Sequence, residues 1–227
     1  MDFNITNYAV LRLGGLEIWI TETIVTTWII GGALIAFALA ARIGLRKFGD
    51  VPSGFQNVVE ALVEAFDKLV RDNVGDKMMF LGNWFFMVFA FVLCSNLSGL
   101  FRLRPPTADW TMTFALALST FALIHAMGAR YRKGQYVKAL FEPHFLFFPL
   151  NVIGELARPI SLSFRLFGNI LAGMILMALI YGLTPVFVRF VVPIPIHIFF
   201  DLFAGSLQTY VFCSLSLAFI DASASAE

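Results

Sequence analysis

Charge is scarce in this sequence. Of its 227 residues, 16 are Lys or Arg and 15 are Asp or Glu, which makes 14%. A soluble domain carries about 25%. The net charge of +1 supplies no basic field, which excludes a nucleic-acid binder. Cysteine is scarcer still. Cys94 and Cys213 each lie inside an apolar run, too few and too far apart for a disulfide framework or a metal set, and read as small packing residues. His125, His144 and His197 are scattered without zincin spacing and read as packing or interfacial residues. There is no Gly-rich phosphate loop, so no nucleotide is expected, and no Gly-x-Ser-x-Gly elbow. Internal repeats and low-complexity tracts are absent. The start, Met1-Asp2-Phe3-Asn4, lacks the positive region of a cleavable signal and is expected to be kept.

What the sequence has in excess is apolar surface: 59% of residues are hydrophobic and 26 are Phe. One water-facing globule could not hide it. An ordinary soluble enzyme and a disordered chain are therefore excluded, and a polytopic, all-α membrane protein remains.

A spanning helix needs roughly 20 apolar residues. Uncharged stretches at 23–41, 78–101, 110–129, 166–188 and 202–220 are each long enough. A further run, 143–154, is too short to cross and reads as an interfacial lead-in to the fourth span. Residues 1–22 are expected as a tail. Residues 53–74 differ: Phe55, Val58, Val59, Leu62, Phe66 and Leu69 recur at helical spacing, with charged residues largely on the other side. With Ser53 as a start cap, this segment predicts an amphipathic helix on the membrane surface, against a protein neighbour, or both.

Charge also orients the chain. The connections 42–77 and 130–142 hold ten Lys and Arg, while the other side holds four, Arg12, Arg102, Arg104 and Arg189. This excess places the two basic connections in the cytoplasm, the N-terminus outside and the C-terminus inside.

Ionisable groups within spans cost at least ~2.5–3.5 kcal/mol on insertion scales, so each is a candidate functional site. Two stand out. Arg165 sits at the start of the fourth span and Asp201 at the start of the fifth. Ser161, Arg165 and Asn169 follow one another at i,i+4 spacing, and so share a helix face. Gly168 and Ala172 form a small-xxx-small pair beside them. Asp201, Gly205, Gln208 and Phe212 share a face of the last helix. Packed stripe to stripe, the two helices would line a narrow polar path. Arg keeps its proton at any physiological pH and acts as a fixed charge. It would block cations and draw a facing carboxylate into releasing its ion. Asp201 can take up and release a proton or hold a cation. Asn169 and Gln208 can orient water or an ion, or join helices. On the residues alone a free-standing secondary transporter remains open, although it would show paired halves. An intramembrane enzyme or quinone-binding subunit would want clustered His or several acids.

The segment from Glu155 to Gly173, ELARPISLSFRLFGNILAG, closely resembles the signature of the membrane stator subunit a of rotary F-type ATP synthases. Leu207-Gln208-Thr209-Tyr210-Val211-Phe212 resembles the second family signature. Asn96-Leu97-Ser98-Gly99-Leu100 and Pro106-Thr107-Ala108-Asp109 are similar to motifs around its outer loop. The resemblance covers the whole chain in order. It implies a cell-membrane subunit, not an enzyme by itself, with a c-subunit ring, peripheral-stalk b subunits and the lipid bilayer as partners and H⁺ or Na⁺ as transported ion. No cofactor or metal is expected. By position, Arg165 would separate two offset half-channels. Asn169, Gln208 and Ser161 would line the path, Asp201 would serve the outer half-channel, and Asp109 would stand at its entrance. Met174 falls where some members carry a second acidic or histidine residue, which leaves Asp201 as the main titrating candidate. The family also implies that the last two helices, 143–184 and 190–220, are long and tilted as a hairpin.

Overall fold

The computed structural model describes residues 7–13, 16–45, 54–101, 103–139, 141, 144–183, 185, 189 and 191–225. Ser53, read as a helix cap, lies outside them. Two antiparallel strands come first, β1 (Asn7–Leu13) and β2 (Leu16–Thr21), with Val10 opposite Trp19 and Arg12 opposite Glu17. This hairpin replaces the featureless tail expected over 1–22. Its residues alternate too loosely for a strand pattern to stand out from an apolar chain.

Helix α1 (Glu22–Leu45) follows, then α2 (Phe55–Val74). Gly75 closes α2 with a φ of 67°, a left-handed turn that Gly adopts without a Cβ penalty, and its N–H donates to the Arg71 carbonyl at 2.9 Å. A 3-10 turn (Asp76–Leu81) leads into α3 (Gly82–Leu97), and 3-10 turns at Ser98–Phe101 and Pro106–Ala108 reverse the chain into α4 (Trp110–Arg132). A short α5 (Gly134–Ala139) leads towards α6 (Phe148–Leu183). The last crossing is built from α7 (Pro193–His197), a π-helical segment (Ile198–Ala204) and α8 (Gly205–Ala224).

Five helical stretches are long and apolar enough to cross a bilayer: Glu22–Gly44, Asp76–Phe101, Trp110–Arg132, Phe145–Leu183 and Pro193–Ala224. They overlap the five expected spans, the fourth and fifth starting earlier than expected, at Phe145 and Pro193, while 184 and 186–188 of the expected fourth span lie outside the described residues. The lead-in expected at 143–154 runs straight into the fourth span, since from Phe148 it is the first part of α6. That helix has 36 residues, about 54 Å at 1.5 Å per residue. Against about 30 Å of hydrocarbon it crosses on a slant or with its ends outside. Pro159 sits within it without ending it.

The core lies where α2, α3, α4, α6 and α8 meet. Phe85, Val92, Ala117, Ile124, Leu166, Phe212, Leu217 and Ile220 are all buried there. Close approach is set by Gly128 on α4, where a Cβ would press on Ser223 of α8 and on the Tyr136 ring. Trp28, Ile35 and Ile43 of α1 are exposed apolar residues, as a lipid-facing helix requires. Helix α2 divides along its length. Phe66, Val70 and Val74 are buried in the core, whereas Phe55, Val58 and Leu62 stay exposed. Its C-terminal half therefore packs on protein and its N-terminal half keeps a free apolar stripe.

Candidate functional site

Arg165 lies near the midpoint of α6, and its side chain is exposed. Among the described residues it makes no ion pair. The residues that α6 turns inward are Pro159, Leu162, Ser163, Leu166, Ile170, Gly173 and Met177. Ser161 shares the outward face with Arg165, and so do the exposed Phe164 and Ala172. The local sequence explains the choice. Apolar and small side chains pack closely, and turning the guanidinium inward would bury an unpaired charge. Asn169 sits at the edge of this face, half-buried, with its amide nitrogen enclosed and without a partner.

Asp201 is held differently. The π-helical segment carries it, and its carboxylate lies over Gly99, where a Cβ would come within 3.2 Å of Oδ2. His197, one turn earlier, places Nδ1 2.6 Å from Asp201 Oδ2. Gly205 packs on Asn96, and Gln208 is buried with its amide nitrogen unpartnered. The stripe from Asp201 to Phe212 thus faces the body of the protein beside α3, while the stripe from Ser161 to Asn169 faces outward. The expected stripe-to-stripe packing is not what forms. Helix α6 reaches this segment instead through Gly173, where a Cβ would come within 3.2 Å of the Phe200 Cβ. That level is about two turns beyond Arg165, roughly 12 Å along the helix.

At this end Asn96 of α3, which is fully buried, ties α3 to α8 and to the Pro106–Ala108 turn. Its amide donates to the Gly205 carbonyl at 3.0 Å and to Thr209 Oγ1 at 3.1 Å. Thr107 Oγ1 donates to Asn96 Oδ1 at 2.9 Å. Beside this network Asp109 pairs with Arg104 at 3.7 Å. Asp109 is therefore a partly screened group at the end of α4 near the Asp201 level, not a free carboxylate.

At the opposite end of α6 a cavity of about 400 Å³ is lined by Arg132, Tyr136, Asn151, Glu155, Arg158 and Ser223 among others. Glu155 and Arg158 form an ion pair at 2.8 Å, and the Arg158 guanidinium stacks over Phe219 of α8 at 5.3 Å. Burial, with the Glu155 charge behind it, pushes the Tyr136 phenol above its ordinary value. A smaller cavity of about 220 Å³ shares Gly154 and Arg158 with the first and extends past Ser161 to Arg165. A recess, polar around Glu155 and more apolar farther in, therefore runs from this end of the molecule to the arginine. Arg165 stands between two polar regions, one around Asp201 and one around Glu155.

Three of these residues carry weaker signals in the sequence. His197 lacks metal spacing and reads as a packing or interfacial residue, although it stands four residues from Asp201. Glu155 and Arg158 stand out only as part of a signature, although they sit three residues apart on one helix. No group of three or more His, Cys, Asp or Glu side chains that could hold a metal occurs among the described residues.

The sequence profile of the family described as ATP synthase A chain matches residues 24–221. The chain is 32% identical over 221 residues to the sodium-ion-specific ATP synthase subunit a of Propionigenium modestum, covering 90% of this chain and 74% of that protein. It is 34% identical over 214 residues to the ATP synthase subunit a of Moorella thermoacetica, covering 93% of each. It is 33% identical over 215 residues to the chloroplastic subunit a of Oedogonium cardiacum, covering 88% of this chain and 81% of that protein.

Proposed function

The chain belongs to the ATP synthase A chain family, and on that premise we propose that Arg165 is the fixed charge that faces a rotating ring of c subunits and keeps two half-channels apart. The chain is a membrane subunit of an ATP synthase, an ion-translocating part of the stator and not a catalytic subunit. The observation that carries the proposal is the exposure of Arg165 in mid-span, with no ion pair among the described residues. A guanidinium left bare towards hydrocarbon costs at least ~2.5–3.5 kcal/mol on insertion scales. The surface that covers it must therefore offer a carboxylate, and a ring of repeated carboxylates offers one at every step.

The mechanism follows from position. On the outer side Asp201 receives the ion, with Asp109 near the entrance, and passes it to an approaching ring carboxylate. The loaded carboxylate is neutral and moves away through lipid. After a turn of the ring it returns from the other side, towards Ser161 and the recess that holds Glu155. There Arg165 favours the charged form of the carboxylate, and the ion leaves inward. Arg165 cannot itself relay a proton, so ions do not pass directly between the half-channels. Asn169 and Gln208, each with an enclosed and unpartnered amide nitrogen, are suited to hold water along the path. Peripheral-stalk b subunits hold the chain against the torque. Ten basic residues against four put the Glu155 end in the cytoplasm and the Asp201 end outside.

One elementary charge crossing 100 mV is worth ~2.3 kcal/mol, so several crossings are needed per nucleotide, as a ring of sites provides. The test is Arg165→Ala in the whole complex reconstituted in liposomes. Ion-driven ATP synthesis is expected to vanish while the complex still assembles. Retained synthesis overturns the proposal.

A further inference from the structure

Position 174, beside the Asp201 level, is a methionine. The outer path would then hold one titrating group, unless another side chain supplies a second. His197 meets the geometric requirement. Its Nδ1 lies 2.6 Å from Asp201 Oδ2, and its side chain is 26% exposed against 19% for the aspartate. A nitrogen and an oxygen this close share one hydrogen, as in a charge-assisted hydrogen bond, with no space for a cation between them. The π-helical segment widens the helix where the pair is held, and such segments recur at functional sites.

Among the described residues, few charged groups lie on the elements around the pair. The elements packed on the π-helical segment are α3, α6, α7 and α8. Helix α3 bears no Asp, Glu, Lys, Arg or His but holds Cys94, and α8 bears Tyr210, Cys213 and, near its far end, Asp221. Helix α6 brings Arg165, about two turns away, with Glu155 and Arg158 farther along and Tyr181 beyond. The neighbouring turn brings Arg104 and Asp109, which pair with each other. Arg189 precedes α7 in the chain. Among the described residues the ion pair of Asp201 is with His197.

We propose that His197 and Asp201 form a two-site proton relay on the outer half-channel, and that the ion this path carries is H⁺. The inference rests on the stator reading above and deepens it by naming the second group and the ion. The step balances as a proton transfer. A hydronium ion on the outer side protonates the Nε2 of His197, giving an imidazolium and leaving water. The Nδ1–H bond then breaks, an O–H bond forms on Asp201 Oδ2, and the ring returns to neutral imidazole. The neutral carboxylic acid hands that proton to a ring carboxylate and is again an anion, and the imidazole, left with its hydrogen on Nε2, regains the Nδ1–H tautomer by proton exchange with water before the next cycle. Imidazole suits the outer position because it exchanges protons across the neutral pH range. It is also a poor match for a hard cation, which prefers oxygen ligands.

The experiment uses the whole complex in liposomes and follows ATP-driven acidification from about pH 5.5 to about pH 9, with and without added Na⁺. The variants are His197→Gln, Asp201→Asn and Arg165→Ala. Gln keeps a hydrogen-bond donor towards Asp201 but does not titrate. If His197→Gln fails to assemble, His197→Asn takes its place. The relay predicts pumping by the parent complex without Na⁺, a fall of about tenfold or more in His197→Gln, and loss of one limb of the pH profile. A purely positioning role would leave that profile unmoved. Parent-like rate and pH profile in His197→Gln overturn the relay, and so does pumping that requires Na⁺. Failure of the stator reading is seen separately, as coupled pumping retained in Arg165→Ala. Asp201→Asn slowed beside an unaffected His197→Gln would leave the stator reading standing and remove the relay alone.

Discussion

Replacing Asn96 by Ala tests whether the outer end of the site is held by one polar knot. Asn96 is fully buried and joins three elements: α3, the Pro106–Ala108 turn and α8. Ala removes two donated hydrogen bonds and one accepted bond. Interhelix hydrogen bonds in bilayers average about 0.6 kcal/mol each, which gives roughly 2 kcal/mol for the three. The Gly205 carbonyl keeps the Thr209 hydroxyl at 2.8 Å, so it is not orphaned. The Thr107 hydroxyl, fully buried, loses its acceptor, and an unsatisfied buried group costs about 1–3 kcal/mol. The sum is roughly 3–5 kcal/mol, large beside an ordinary substitution. Graded SDS unfolding in mixed micelles measures it. Thr107→Val on the Asn96→Ala background then restores part of the loss, because the stranded hydroxyl is gone. A cost below about 0.5 kcal/mol for Asn96→Ala, or strict additivity of the pair, would refute the knot.

Three other outcomes follow from particular contacts. Asp201→Asn keeps the shape beside Gly99 but cannot titrate, so transport in proteoliposomes is expected to slow about tenfold or more; unchanged transport across pH would leave Asp201 a structural residue. Gly128→Ala would put a Cβ 2.5 Å from Tyr136 Cε2, and the overpacking is expected to cost about 1–3 kcal/mol, read as a lowered unfolding midpoint; an unchanged midpoint would show that α4 and α8 can part without cost. Burial raises the Tyr136 phenol, so its contribution to stability is full below the ordinary tyrosine value of about 10 and is lost as pH rises through the folded value. Tyr136→Phe should therefore flatten the alkaline loss of stability above about pH 10, and an identical alkaline profile would refute that assignment.

The five spans were legible because the bilayer makes one demand that sequence records directly, an uncharged stretch of sufficient length. Arg165 was legible for the complementary reason, as a charge where charge is costly. Contacts between elements were less legible. The polar stripes of α6 and the last helix were expected to meet. Close packing goes instead to Leu162, Leu166, Ile170 and Gly173, and a spacing rule within one helix does not say which neighbour a face meets. Asn96 looked like a weak motif match, yet its amide joins residues more than a hundred positions apart. His197 shows the opposite case. Its partner was four residues away, but only the side-chain geometry around the π-helical segment shows that the two meet. The strands at 7–21 gave too little alternation to be told from an apolar tail.

The central claim is that the outward face of α6 around Arg165 meets the ring. Disulfide trapping tests it most directly, with single cysteines on α6 and one beside the ring carboxylate in the assembled complex. Ser161→Cys and Ala172→Cys, on the exposed face, are predicted to cross-link to the ring, and Leu166→Cys and Ile170→Cys, on the buried face, are predicted not to. Cross-links from the buried pair with none from the exposed pair would contradict the account.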